Sequence, residues 1–205
     1  MPANPVQLLA AGRYNHGPVL VGTNKNEFGL FQALTGTIQT AAQFSAVVDA
    51  QFGLIAPLVK AQYPVSSDAE ANTIVIRLMT DVLFRCPTRG FVRAIAGRDS
   101  TYLYSFEEGM AFHAFEMSYV FGPQFGFEPG YVESTLTTMQ RYWTTFVSRG
   151  TPNTCHLPTW PAYTLAGDQH MVLATPFAAG SGLKKAECDF WDALAGPPSP
   201  GSAAN

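Results

Sequence analysis

Two short segments of this chain carry the side chains best suited to moving a proton. In VLVGTNKNEFGLF a carboxylate, Glu27, follows an apolar run by a few residues. In TYLYSFEEGMAFHAFEMSYVFG an imidazole, His113, stands past an alternating apolar run in the same way. Only 4 histidines occur in the chain, and this one lies among Phe112, Phe115, Tyr119 and Phe121. A histidine in such a setting is either a core residue with both nitrogens bonded or a base that works near neutral pH. A carboxylate and an imidazole together suit the activation of a hydroxyl nucleophile. The imidazole takes the proton as the oxygen attacks a carbonyl, and the carboxylate fixes the tautomer and stabilises the cation. The surrounding aromatics either line a substrate pocket or form an ordinary core.

The elements that must position these groups are an alternation of strands and helices. GPVLVGTN, from Gly17 to Asn24, is a continuous apolar run bounded by turn residues, as for a strand buried on both faces of a parallel sheet. Helical spacing follows from Thr40 to about Gln62, broken by Gly53 and Pro57. Ser67 and Glu70 form a capping-box pattern ahead of a helix with Ile74, Leu78 and Val82 on one face and Asp81 beside them. A further helix has Pro87 in its first turn and ends near Gly97. TYLYSF, Thr101 to Phe106, is the second strand. Val132, Leu136, Met139, Trp143, Phe146 and Val147 repeat with a helical period up to Gly150, QHMVLATP supplies a third strand, and KKAECDFWDAL a closing helix. The class is α/β. Two or three strands make a poor sheet on their own, so the chain reads as part of a larger assembly, with residues 1–195 as the folded portion and 196–205 as a disordered tail.

Composition narrows the function classes. Charged residues are 13% of the 205, against about 25% in an average soluble protein, which leaves little to cover an independent surface. A net charge of −3 without Lys/Arg clusters argues against nucleic acid as a partner. No run approaches the ~18 apolar residues of a membrane span, and residues 1–17 do not read as a signal peptide. Cys86, Cys155 and Cys188 form no C-x-x-C and no zinc-ligand spacing, and an odd count leaves at least one thiol unpaired within the chain. His16, His156 and His170 are assigned to loops or the surface rather than to a metal, and no metal or other cofactor is expected. Glu107 and Glu108 read as a solvated rim, and Asp81 as a buried, hydrogen-bonded structural acid.

The local motifs carry more than spacing does. The chain resembles the C-terminal part of the type-B carboxylesterases, the cholinesterase-like serine esterases, from about Pro18 to Trp191. VLVGTNKNEFGLF is similar to the G-x-N-x-x-E segment that bears the family's triad glutamate, which falls on Glu27. GMAFHAFEMSYVFG is similar to its histidine segment, which places the triad histidine on His113 and an accompanying buried acid on Glu116. TDVLFRCP matches an Asp-x-x-x-x-Cys-Pro element through Asp81, Cys86 and Pro87, and YWTTFVSRGTPN, WPAYT and CDFWD follow in the family's order.

The resemblance implies the C-terminal portion of an α/β-hydrolase fold and a disulfide between Cys86 and Cys188. Such a bridge implies an oxidising compartment, extracellular or periplasmic for the complete protein. It also implies a small-molecule ester substrate. Yet no G-x-S-x-G nucleophile elbow occurs in the 205 residues, and the family's glycine-rich oxyanion-hole loop is missing too. The expectation is a chain that supplies acid and base but is inactive alone. It would be a fragment of an esterase, one subunit that pairs with a separate N-terminal half, or a non-catalytic interaction module.

Overall fold

A computed structural model describes residues 5–122 and 132–196, and in it the two apolar runs lie side by side. β1 (Val19–Asn24) pairs in parallel with β2 (Thr101–Phe106), in register from Val19 opposite Thr101 to Asn24 opposite Phe106. β3 (Gln169–Leu173) adds in parallel on the far side of β2, and β4 (Ala178–Ser181) returns antiparallel to β3. The order is β1-β2-β3-β4. The helices are α1 (Pro5–Ala10), α2 (Phe28–Thr35), α3 (Ala41–Phe52), α4 (Ala56–Gln62), α5 (Asp68–Thr80), α6 (Cys86–Ile95), α7 (Met117–Phe121), α8 (Glu133–Arg149) and α9 (Lys185–Ala195).

Parallel pairing of β1 and β2 needs a crossover, and α2 to α6 supply it. On one face of the sheet Tyr104, Phe106, Met171 and Leu173 pack with Leu136, Met139 and Tyr142 of α8 and with Trp160. On the other, Leu103 packs with Val92 of α6 and with Tyr163. A further core joins α3, α4 and α5 through Phe44, Val48, Val59, Tyr63, Val75 and Leu78.

Several expectations change here. All of β2 is buried, but the first four residues of β1 are only half-buried, because β1 has a sheet neighbour on one side only among the described residues. Gly22 is needed there, since a Cβ would collide with the ring and carbonyl of Tyr104 on β2. β4 escapes sequence reading because Ala-Ala-Gly-Ser has little β-propensity; pairing with β3 imposes it. Ser67 stands before α5 but caps nothing with its side chain, while Glu70 accepts from the Ser66 N–H instead. The capping box belongs to Thr40 and Gln43, at the start of α3. On α8 the buried stripe is Leu136, Met139 and Tyr142, and Val147 is exposed.

The helix read around Asp81 runs without a break from α5 through a π-helical turn, Asp81–Arg85, into α6. A proline ring clashes with the carbonyl four residues back and offers no N–H, and the wider turn before Pro87 accommodates both. Ala41–Gln62 is long and apolar enough in composition to cross a membrane. Gly53, at φ 52°, breaks that path so that α4 packs back on α3. Most of the tail expected to be disordered, residues 197–205, lies outside the described residues.

Candidate active site

Glu27 and His113 meet where the chain leaves the carboxyl ends of β1 and β2. In doubly wound sheets these strand ends are where ligands bind. Glu27 lies just before α2 and is buried. Its Oε1 accepts the Asn24 N–H at 2.7 Å, and its Oε2 lies 2.7 Å from His113 Nδ1. A neutral imidazole that gives its Nδ1 proton to a carboxylate has its lone pair on Nε2, the arrangement of a base. The acid is 8% exposed at its side chain and the histidine 43%, so the pair is anchored from within and open on the imidazole side.

The backbone around the histidine is unusual. Ala111 at φ 44° and Ala114 at φ 66° flank it, both in the left-handed region that side chains with a Cβ disfavour. Hydrogen bonds from the acid segment hold this loop. The Asn26 N–H donates to the Ala111 carbonyl at 2.9 Å, and Asn24 Nδ2 donates to the Phe112 carbonyl at 2.7 Å. Strain of this kind persists only where neighbours over-determine the conformation.

Glu116 joins the same cluster through Asn24 Nδ2, which donates to its carboxylate. Burial lifts the Glu116 carboxyl above its ordinary range, against the Asn24 hydrogen bond, and the charge of Glu27 pushes the same way as burial. Asp81 is buried but belongs to a separate cluster. Tyr63 donates to its Oδ2 at 3.2 Å and Lys184 Nζ lies 3.8 Å away, while burial raises its pKa.

The aromatic residues read as neighbours of His113 divide. Phe115 and Tyr119 are buried against Phe106 as core, Phe112 is half-buried against Phe115, and Phe121 is exposed. Among the described residues, the rings that lie against the imidazole are Phe31 and Phe84, with centroids 5.2 and 5.4 Å away. Phe31 had a signal in the sequence: it is four residues past Glu27, on the same side of α2. Phe84 had none, since the π turn sets its direction. An open, mostly apolar pocket of about 490 Å³ is bounded by Leu30, Ala33, Ile76, Met110 and Phe112, with Asn26 and Phe112 its nearest residues in sequence to the pair.

Elsewhere the structure joins Cys86 to Cys188, with Cα atoms 5.0 Å apart, and leaves Cys155 free and exposed. His170 is no surface residue; it is buried on β3, where burial lowers its pKa, and its ring fills the space above Gly180. Glu107 and Glu108 are no solvated rim either. Glu107 accepts from Ser105 and pairs with Lys25, and Glu108 accepts from Thr135 and from the Thr175 N–H. Among the described residues, no group of three or more His, Cys, Asp and Glu side chains is arranged to hold a metal ion.

Comparison with known proteins gives one answer. A family model described as the carboxylesterase family matches residues 1–191. Carboxylesterase 5A of Felis catus is 30% identical over 93% of this chain, and para-nitrobenzyl esterase of Bacillus subtilis 29% identical over 80%. The chain spans 40% and 35% of those two relatives. A solved PNB esterase superposes with a TM-score of 0.74 at 25% identity, covering 93% of this chain and 41% of its own. The four-stranded mixed sheet with its flanking helices is thus a portion of an α/β-hydrolase fold.

Proposed function

The chain belongs to the carboxylesterase family, and we propose from that premise that it supplies the acid and the base of a serine carboxylic-ester hydrolase. The observation that carries the proposal is the 2.7 Å bond between a buried Glu27 and the half-exposed His113. His113 Nε2 takes the proton of a serine hydroxyl as that oxygen attacks the ester carbonyl, and Glu27 stabilises the resulting imidazolium. The same proton passes to the departing alcohol oxygen. A water then follows the serine's route to release the acid. Glu116 supports the pair as a buried acid through Asn24, and Asp81 is a buried acid that supports the neighbouring helices through Tyr63 and Lys184. The apolar cavity beside Phe112 would take an uncharged group of a small ester.

The serine and the oxyanion donors come from another segment, since no G-x-S-x-G occurs in these 205 residues. This chain alone is therefore inactive, and β1, paired on one side only among the described residues, is where such a segment would extend the sheet. That segment is either continuous with this chain or a separate N-terminal half. The intact acid–base pair argues against a non-catalytic interaction module. The Cys86–Cys188 bridge supports an extracellular or periplasmic home for the complete protein.

The test supplies the missing part. The chain alone and the chain assembled with a serine-bearing carboxylesterase segment are assayed on a p-nitrophenyl ester. Turnover is expected only in the assembly and is expected to vanish in His113→Gln. An assembly that keeps its activity without His113 overturns the proposal.

A further inference from the structure

Asn24 ends β1 and is fully buried, and three hydrogen bonds leave it toward three parts of the site. Its backbone N–H donates to Glu27 Oε1 at 2.7 Å, the carboxylate oxygen opposite the one that faces His113. Its Nδ2 donates to the carbonyl of Phe112, the residue before His113, at 2.7 Å. The same Nδ2 donates to the carboxylate of Glu116, three residues beyond His113. The partners fix which way the amide points. Both are acceptors, so exchanging the amide oxygen and nitrogen would lose both bonds.

The other half of the amide is idle. Asn24 Oδ1 is buried and has no hydrogen-bond partner among the described residues. A buried acceptor without a donor costs stability, and a leucine of similar size would avoid it. The amide therefore earns its place through its two donations, and local conflicts of this kind concentrate at functional sites. The loop it grips has two residues at positive φ, Ala111 and Ala114, and needs outside bonds to hold that shape.

From this geometry we infer that Asn24 is a positioning residue, which sets the separation of the acid and histidine segments and so fixes His113 against Glu27. The inference rests on the proposed acid and base roles of those two residues and adds to them the part that aligns the pair. Asn24 touches no reacting atom; it acts through Glu27 and His113. Misplacing a catalytic group by about 1 Å costs on the order of 100-fold in rate.

The experiment follows the His113 Nδ1 proton by NMR in the full chain and kcat and KM in the assembled esterase. Asn24→Leu and Asn24→Asp, close in size and without the donor, are compared with Asn153→Leu. That control breaks two bonds to the Trp160 backbone, at 2.7 and 2.9 Å, in a different loop. Both Asn24 variants are expected to lose the protected Nδ1 proton and about 10- to 100-fold in kcat, with KM within about twofold. The control should lower the melting temperature and leave the proton and kcat unchanged. If Asn24→Leu does not fold, Asn24→Asp carries the test. Retention of both the proton signal and kcat in an Asn24 variant overturns the inference. A wild-type proton that is insensitive to Glu27→Gln overturns instead the acid–base assignment beneath it.

Discussion

Arg89 and His113 each have a carboxylate oxygen closer than 3 Å, at 2.8 Å from Asp168 and 2.7 Å from Glu27, yet the arginine side chain is 2% exposed and the histidine 43%. Around Arg89 every charge is answered. Its second nitrogen reaches Asp189 on α9 at 3.0 Å, Tyr163 donates to the other Asp168 oxygen at 2.8 Å, and the Cys86–Cys188 bridge joins the same two helices one turn away. Burial opposes the ionised Asp168, but Arg89 and Tyr163 outweigh it and hold this carboxyl below its usual range. Around His113 the outcome differs. One ring nitrogen is held, the flanking backbone is strained, and burial drives the nearby Glu116 carboxyl upward. The anchor uses both terminal guanidinium nitrogens to tie α6 to Asp168 and to α9, and only its buried Nε is left without a partner among the described residues. The site keeps capacity in reserve, as a group that must accept a proton requires.

The contrast breaks most visibly under substitution. Glu27→Gln should remove roughly 10⁴-fold of kcat in the assembled esterase by losing the tautomer control, with little change in denaturation midpoint. A comparable loss of stability would make Glu27 a structural acid like Asp168. At the anchor the effects should reverse. Asp168→Ala leaves a buried guanidinium with only the more exposed Asp189 and Asp192 and should cost about 3 kcal/mol. Replacing both Cys86 and Cys188 by serine opens a loop of 102 residues and should cost about 2–5 kcal/mol. Denaturant titration reads both, and in both the His113 Nδ1 proton should survive.

Acid should separate the two regions with opposite signs. Asp168 has a depressed pKa when folded, so its stabilisation is complete above its unfolded value near ~3.9 and is lost as pH falls through the folded pKa. Glu116 has a raised folded pKa, so the native state binds the extra proton, and stability rises as pH falls through that value toward ~4.3. Glu116→Gln should therefore flatten the slope above about pH 4.3 and leave the lower limb alone. A slope unchanged by this variant would show that the Glu116 carboxyl titrates alike in the folded and unfolded chain. The smallest effect sets the scale. Thr40→Ala should cost about 1 kcal/mol through the lost capping box, whereas Ser67→Ala, which breaks no cap bond, should stay within about 0.5 kcal/mol.

The same two regions show what a sequence can carry. Glu27 and His113 were legible because each sits inside a run of local words and behind a strand whose apolar pattern is plain. The partner of Cys86 came through family resemblance, since spacing alone could not choose among three cysteines. Arg89 was invisible: nothing in CPTRGF marks an arginine that will be buried beside an aspartate 79 positions away. His170 misled for a related reason, because a half-polar residue next to Gln169 reads as surface until Gly180 is seen making room for its ring. Ser67 and Thr40 show the limit of motifs, as both have a Glu or Gln at the third position and only the geometry of the entering chain decides which one closes. Phe84 required the π turn, which shifts the helical phase that a period of 3.6 assumes.

The crossover that makes β1 and β2 parallel also dictates an order of events as the chain folds. β3 and β4 are separated by residues 174–177 and can find each other by local search. The Glu27–His113 bond spans 86 positions, and it can form only after α2 to α6 have collapsed and carried β2 back alongside β1. Closing so long a loop costs entropy before any contact repays it, which places such pairings late. The proton-handling pair is thus expected among the late contacts, an order that pulsed hydrogen exchange of the β1 and β3 amides would read. A chain that has collapsed but not yet registered its first two strands already contains both residues of the pair and none of their geometry.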